Sequence, residues 1–383
     1  MKLELRTITP VHIGTGEKFG GAEIFSTKGG FFRTSISDIV RGLEGRAYEE
    51  LLSDLEEPGF QLSAFLKRHP EVKPKERYFL KSAVVTSPVE VRECIKTGFD
   101  LPYIPGSSLK GAIRSALIWQ ACKNDLKFPP DSLRQSRPNK KWVGSDLFNE
   151  MMNLRRNKYD PKYDLLRFLE VSDFMPLKPF LYLEELKTYS LKNRGMEEKP
   201  YGITCETLFA RLEGTISLSP EIAHAINHRD YPLLKEKLNL LGITASDLSG
   251  INDPVTLATV EAKVIEHLKK VMRAFLSSAL SHDALLCSAG GVKELSNEIT
   301  SMQEKHKTED LLRLGFSIGT TYQTVMALIE ERDAELAADL ITHMRLGKYP
   351  RESGEKSVSP PYPKSIEFII TDKGPLMPGW IAW

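Results

Sequence analysis

The sequence predicts an α+β protein, and three observations carry that class. Strand-like and helix-like stretches are mixed without the regular βαβα rhythm of a doubly wound sheet. Short alternating runs fill the first half, and helical patterns dominate the second. With 383 residues, 41% of them hydrophobic, the chain can bury a real core and form roughly two to three domains.

Taken in order, the elements justify the class. Residues 2–9 alternate, with Leu3 and Leu5 on one face and Lys2, Glu4 and Arg6 on the other, as in a half-buried strand. After a glycine-rich loop, Ala22–Ser26 and Phe31–Thr34 bracket Lys28-Gly29-Gly30 as a hairpin. Residues 37–69 read as helix interrupted at Pro58-Gly59. Strand-like runs at Arg77–Thr86 and Val89–Thr97 lead to a helix from Ser107 to about Lys123, with Leu109, Ile113 and Leu117 at four-residue steps. Residues 124–164 are poor in apolar side chains and read as a loose insertion. Strands return at Leu165–Ser172, Phe180–Leu191 and Tyr201–Leu218. Residues 220–312 are helical, with Val264, Leu268, Val271 and Phe275 as an apolar stripe. A glycine turn at 315–319 precedes another long helix, and the tail, Ser365–Ile370 then Gly379–Trp383, reads as a hairpin.

Composition excludes several function classes. Lys+Arg 52 against Asp+Glu 51 leaves a net charge of +1, unlike a polybasic coat or an acidic solvating protein. The charge is uneven, however. Residues 101–170 hold 13 Lys and Arg against 7 Asp and Glu, while the remainder holds 39 against 44. The excess gathers in Arg134, Arg137, Lys140, Lys141, Arg155, Arg156, Lys158 and Lys162. A solvated loop and a phosphate-backbone contact both fit this segment. No apolar run approaches the ~18 residues of a membrane span, and Met1–Arg6 lacks the apolar core of a signal peptide. Cys94, Cys122, Cys205 and Cys287 form no C-x-x-C pair, so neither a zinc ribbon nor a disulfide framework is expected. The expected location is a reducing cytoplasm.

Three stretches carry candidate chemistry. In Tyr103-Ile104-Pro105-Gly106-Ser107-Ser108-Leu109-Lys110-Gly111-Ala112-Ile113-Arg114, the Pro-Gly pair reads as a turn and Ser107 as a helix N-cap. Lys110 and Arg114 then share a face near the helix start, where cations oppose the macrodipole. Helix-start amides, a Ser hydroxyl, Lys110 and Arg114 make an anion site suited to phosphate; a capped helix with cations facing water fits equally. Gly106 and Gly111 have P-loop spacing, but Ala112-Ile113 stands where Lys-Ser/Thr is required. Ser107-x-x-Lys110 and Lys96-Thr97-Gly98 occur in the wrong order for a penicillin-interacting enzyme, and Gly14-Thr15-Gly16 opens no helix as a dinucleotide fingerprint must.

The first loop, Thr9-Pro10-Val11-His12-Ile13-Gly14-Thr15-Gly16, places a histidine at a strand end. His12 fits an acid–base role in RNA cleavage, a phosphate contact, or a local backbone partner, and the first needs a second proton-transfer group. His224 and His228 are spaced i, i+4 but lack a third ligand, and read as an exposed helical face. In Arg313-Leu314-Gly315-Phe316-Ser317-Ile318-Gly319-Thr320-Thr321-Tyr322, two glycines permit close backbone approach and Thr320 or Thr321 can cap the next helix. An RNA backbone contact and an ordinary glycine turn both fit.

In this order the three stretches resemble the RAMP superfamily of CRISPR-associated RNA-binding proteins. Within it the sequence is most similar to the cap-subunit family of the type III-A (Csm) effector complex. That likeness rests on the length, on Phe31–Asp38, on Leu169–Asp173, on the helical second half and on the Gly-Trp tail. There are two departures: Phe316-Ser317-Ile318 dilutes the late glycine cluster, and Glu206 stands where a glycine is expected. The resemblance implies two ferredoxin-like (RRM-like) modules with helical insertions. Residues 1–218 would be an RNA-binding domain with the basic insertion at 124–164, and 219–383 a helix-rich domain carrying the loop at 313–321. It also implies a non-catalytic subunit that binds the 3′ part of the guide RNA (crRNA), caps a filament of backbone subunits and assists RNA maturation with recruited cellular nucleases. No cofactor, metal or membrane is expected. The expected RNA contacts are His12, Gly14 and Gly16; Ser107, Ser108, Lys110 and Arg114; Arg137, Lys140, Lys141, Arg155 and Arg156; and Gly315, Ser317, Gly319 and Thr320. The alternatives are a metal-independent endoribonuclease using His12 and a backbone subunit of a type III complex.

Overall fold

The alternation at residues 2–9 does make a strand, β1 (Lys2–Thr7), and it lies at the centre of a sheet drawn from both ends of the chain. The computed structural model describes residues 1–82, 88–130, 133, 145–156, 160–192, 195–344 and 362–383. On one side β1 pairs antiparallel with β11 (Arg211–Leu218), Leu5 opposite Leu212. On the other it pairs with β15 (Trp380–Ala382), which in turn pairs with β12 (Leu311–Arg313). Beyond β11 stand β7 (Leu169–Val171) and β8 (Met175–Pro176). Strands from both sides of residue 218 therefore share one sheet.

The second sheet is built on a long antiparallel pair, β9 (Phe180–Lys192) and β10 (Gly195–Phe209). Outside β10 lie β6 (Glu90–Cys94) and β2 (Gly14–Gly20); outside β9 lie β5 (Tyr78–Lys81), β4 (Gly30–Arg33) and β3 (Ile24–Thr27). The hairpin β13 (Ser365–Thr371) and β14 (Gly374–Leu376) joins the far part of β9.

Three short helices, α1 (Ile36–Arg41), α2 (Gly45–Glu56) and α3 (Leu62–Arg68), close a satellite core of Ile39, Leu51, Leu62 and Phe65. The main core lies between the first sheet and the helices α4 (Gly106–Asn124) and α8 (Pro254–Gly290). Here α5 (Ser145–Met152), α6 (Glu221–Ala225) and α7 (Leu234–Lys237) precede α8 in the chain. The expected stripe of Val264, Leu268, Val271 and Phe275 is buried, and Phe275 meets Trp119 of α4 with ring centroids 5.7 Å apart. The Asp253 carboxylate accepts the Thr256 amide at 2.9 Å to start α8, and Gly291 ends it at φ 69°. After it come α9 (Lys293–Thr308), α10 (Met326–Arg332) and α11 (Ala334–His343).

The α+β class stands, and several element readings are corrected. Tyr201–Leu218 is two strands broken at Ala210, where the chain passes from one sheet to the other. The Thr7 side chain and amide bind both backbone groups of Ala210. Leu165–Phe168 is a 3-10 turn capped by Asp164, leaving a strand only at Leu169–Val171. The long helix expected after Gly319 is two, because Asp333 interrupts it and caps the second through the Leu336 amide. The tail is not one hairpin: β13 and β15 belong to different sheets. The 124–164 segment includes a helix, α5.

Candidate functional site

The first loop is held between the sheets by its backbone. Ile8 donates to the Trp380 carbonyl, Gly379 donates to Pro10, and Val11 exchanges hydrogen bonds with Leu208. This fixes His12, which is only 4% exposed. Its Nδ1 donates to the Glu206 carbonyl at 2.6 Å, and its own carbonyl accepts the Phe316 amide at 2.7 Å. Burial holds the imidazole below its ordinary pKa, and the nearby cations Arg92 and Lys96 act in the same direction. His12 is thus a neutral connector between two loops. The charged side chains acting on it are those of Arg92 and Lys96.

The helix α4 divides the middle stretch into two stripes, because positions three and four apart share a face. Ser107, Lys110 and Arg114 form one. Arg114 forks onto Asp164, Nη1 to Oδ2 at 2.5 Å and Nη2 to Oδ1 at 3.0 Å, and Asp164 is 4% exposed. That ion pair makes Arg114 an internal strut instead of a free phosphate grip. Lys110 makes no ion pair or hydrogen bond among the described residues, and partial burial lowers its pKa. Ser107 is not the N-cap: the helix starts at Gly106 after Pro105, and the Gly106 amide donates to Asp173 at 2.9 Å. A carboxylate therefore already occupies part of the expected phosphate site. Gly106 is needed for close approach, since a Cβ there would overlap the carbonyls of Val171 and Ser172.

The other stripe, Ser108, Gly111, Ala112 and Ser115, faces a cavity of about 390 Å³. Ile13 and Gly14 of the first loop line it as well. So do Gly315, Phe316 and Ile318 of the late loop, with Tyr322 and Gln323 beyond. The three stretches singled out in the sequence thus meet at one place, without Lys110 or Arg114. Gly315 has φ 102°, and a Cβ there would overlap the His12 carbonyl oxygen. Gly319 and, unusually for a non-glycine residue, Ser317 also have positive φ. The Ser317 and Thr320 hydroxyls are buried and unbonded among the described residues. Thr320 does not cap the next helix; Thr324 Oγ1 accepts the Met326 amide instead. Beneath the loop, Arg313 donates to the Pro378 carbonyl and lies over Tyr322, whose hydroxyl donates to buried Asp283 at 2.8 Å.

Gly16 is exposed with φ 94° and does not line the cavity. Arg155 is paired with Asp230 and lies 3.7 Å over the Tyr163 ring, so it too is internally engaged. Arg156 is exposed. Arg137, Lys140 and Lys141 lie outside the described residues, as do Arg134 and Lys158. His228 sits past the end of α6, so it does not share that helix with His224. Among the described residues, no cluster of three or more His, Cys, Asp or Glu side chains is placed to hold a metal, and no helix is long and apolar enough to cross a membrane. One cation was missed by the sequence reading. Arg92 stacks 4.7 Å over Phe316 at the cavity edge, its Nε unbonded and its charge unpaired among the described residues. Alternation with Val91 along the strand is the only signal that would have turned it toward the loop.

A model of the RAMP superfamily matches residues 4–275. The chain belongs to the RAMP superfamily. It is 29% identical over 187 residues to the CRISPR system Cms protein Csm5 of Streptococcus thermophilus, covering 42% of this chain and 52% of that protein, about half the relative's length. Among solved structures, a chain of a cryo-EM Csm–crRNA–target RNA ternary complex from a type III-A CRISPR-Cas system superposes with a TM-score of 0.71 at 21% identity, covering 100% of both chains. The crystal structure of T. onnurineus Csm5 gives 0.64 at 19%, covering 99% of this chain and 100% of that one.

Both departures of this RAMP chain from the expected pattern have physical reasons. Phe316 packs on the patch formed by Leu186, Cys205 and Ile369 and presents its face to Arg92, so it bolts the late loop to the second sheet. Glu206 is fully buried and accepts from the Cys94 amide, the Lys96 ammonium and the Tyr78 hydroxyl. A glycine there would leave Lys96 buried without its closest counter-charge.

Proposed function

We propose that this RAMP-superfamily chain is a non-catalytic, guide-RNA-binding subunit of a type III-A (Csm) complex. In this reading it caps the backbone filament at the 3′ part of the crRNA and assists maturation through recruited nucleases. Residues 1–218 supply the first loop and the α4 wall, and 219–383 supply the late loop. One observation carries the reading: the three family stretches converge on one cavity whose α4 wall is built of small residues, and Arg92, unpaired among the described residues, stacks on its lining residue Phe316. The similarity to Csm5 proteins and to a chain of a crRNA-containing complex supports it. Gly111 is the telling residue. It is exposed within a helix, where glycine costs about 0.5–1 kcal/mol relative to alanine, and a Cβ there would meet nothing within 4 Å. The protein's own packing does not require it; close approach of an RNA backbone does.

The test compares Gly111→Ala and Gly111→Leu with the wild type for melting temperature and guide-RNA affinity. Alanine should raise the melting temperature, and leucine should weaken RNA binding about ten-fold or more. Unchanged affinity in the leucine variant would overturn the groove assignment. Labelled repeat RNA incubated with the protein in EDTA should stay intact; cleavage abolished by His12→Ala would establish the endoribonuclease instead. Purified complexes should contain one copy per assembly, whereas a backbone subunit would occur several times.

A further inference from the structure

The outer face of the second sheet carries features that the groove does not use. Along β5, β9 and β10, the side chains that alternate away from the core of Leu80, Leu181 and Leu183 include Phe79, Lys81, Phe180, Tyr182 and Phe209, together with the carboxylate Glu184 and the buried Thr207 and Cys205. Phe180 lies directly opposite Phe209. Tyr182, two residues along, meets Phe209 edge-on with ring centroids 6.3 Å apart. Lys81 is in parallel register with Tyr182, its ammonium 5.5 Å from that ring's centroid. Phe79, on the same face of β5, packs against Phe32. Phe180, Phe209 and Phe79 are 57%, 40% and 38% exposed. Such rings contribute most when buried, so a cluster of them facing water marks an interaction surface.

Register ties this face to the groove. Arg92 is opposite Cys205, and Cys205 is opposite Glu184, so the row beneath Phe316 shares its face with Tyr182 and Phe180. Successive rows are two residues apart, about 6.7 Å along a strand. Between Arg92 and the rings the same face carries buried Cys205 and Thr207 and the carboxylate Glu184. We propose that this face, which Arg92 shares with the rings, holds a base-stacking site for unpaired RNA at the exposed rings; the identity of that RNA as guide RNA rests on the reading above. Charge selects the ligand, three lysines standing around the rings against one carboxylate, Glu184, on the face. Lys81, Lys28 in the adjoining β3–β4 turn and Lys178 just before Phe180 are all exposed, and none makes an ion pair among the described residues. Protein interfaces are depleted in lysine, whereas rings interleaved with cations suit bases and phosphates.

The test uses the purified full chain and a fluorescein-labelled oligouridylate of about eight nucleotides, alongside an abasic oligomer of the same backbone. The Phe180→Ala/Phe209→Ala variant should lose about ten-fold or more in affinity for oligouridylate and bind the abasic oligomer as the wild type does. Phe180→Trp should retain binding, and Lys81→Ala should lower the salt slope by about one. Unchanged oligouridylate affinity in the folded double variant overturns the proposal. If that variant instead loses co-purifying protein subunits, the face is a protein interface. If the double variant does not fold, Lys81→Glu takes its place, and unchanged affinity overturns the proposal in the same way. Gly111→Leu run in parallel separates the two sites. Guide-RNA loss in Gly111→Leu with intact oligouridylate binding in the ring variant sinks only the stacking face; the converse sinks only the groove.

Discussion

Glu206 shows what a single buried carboxylate does here. Its Oε2 takes the Cys94 amide at 2.8 Å and the Lys96 ammonium at 2.5 Å, and its Oε1 takes the Tyr78 hydroxyl at 2.7 Å. Lys96 is nearly as buried, with a side chain 3% exposed, and also reaches the Cys94 carbonyl. A buried pair is weak evidence of net stability, but removing one partner strands the other charge. Glu206→Gln leaves Lys96 with Glu93 at 3.4 Å as its remaining counter-charge and should destabilise the protein by about 1–3 kcal/mol, read by urea unfolding near neutral pH. Glu206→Leu combined with Lys96→Met should cost clearly less than Glu206→Leu alone. If the double substitution costs as much, packing and not charge holds this site together. The same network explains His12, whose Nδ1 reads the carbonyl of the residue that carries the carboxylate.

At the scale of the element, α4 shows how a correctly located helix can still carry misassigned side chains. Its place, its amphipathic spacing and its nearness to the other two stretches were legible from Pro105-Gly106 and the four-residue steps of Leu109, Ile113 and Leu117. The partners of each stripe were not. Asp164 lies 50 residues beyond Arg114 and Asp173 lies 67 beyond Gly106, and helical periodicity fixes faces without saying what each face meets. The break at Ala210 was equally silent, because no proline or glycine marks it; a change of sheet does. The two cations of the stripe should consequently behave differently. Arg114→Ala leaves Asp164 buried beside its remaining partners and should cost about 2–4 kcal/mol in stability. Lys110→Ala should lower the melting temperature clearly less than Arg114→Ala does, since it removes no ion pair or hydrogen bond among the described residues. It should lower the salt slope of RNA binding only if its face touches phosphate. A thermal melt of both variants decides the first contrast; equal losses would show that the Asp164 fork contributes little.

At the scale of the whole molecule, protonation and topology both bear on cooperativity. Burial holds His12, His267 and His306 below the ordinary histidine value of 6.5. Above that value both folded and unfolded chains carry these rings neutral, and pH has no effect through them. As pH falls below it, the unfolded chain takes up protons that the folded protein resists, so stability declines. His69, raised by its hydrogen bonds to Glu50 and Glu71, pulls the other way, one ring against three. The melting temperature should therefore fall between about pH 7 and about pH 5.5, and a flat profile would mean the buried rings protonate without cost. Topology makes the stronger claim. The first sheet runs β12, β15, β1, β11, β7, so Leu5 and Leu212 share its core with Leu312 and Ile381. A fragment ending at residue 218 would expose the inner flank of β1 and the face of α4 that Phe275 covers. Residues 1–218 and 219–383 expressed separately should each fail to show a cooperative melt, whereas the full chain should unfold in one transition. All four cysteines are buried and free, so thiol labelling offers an independent probe, and they should become reactive together. Cooperative folding of the 1–218 fragment, or earlier labelling of Cys94 and Cys205 than of Cys122 and Cys287, would mean the second sheet is a unit of its own, and the division of labour between the halves would then be a division of structure as well.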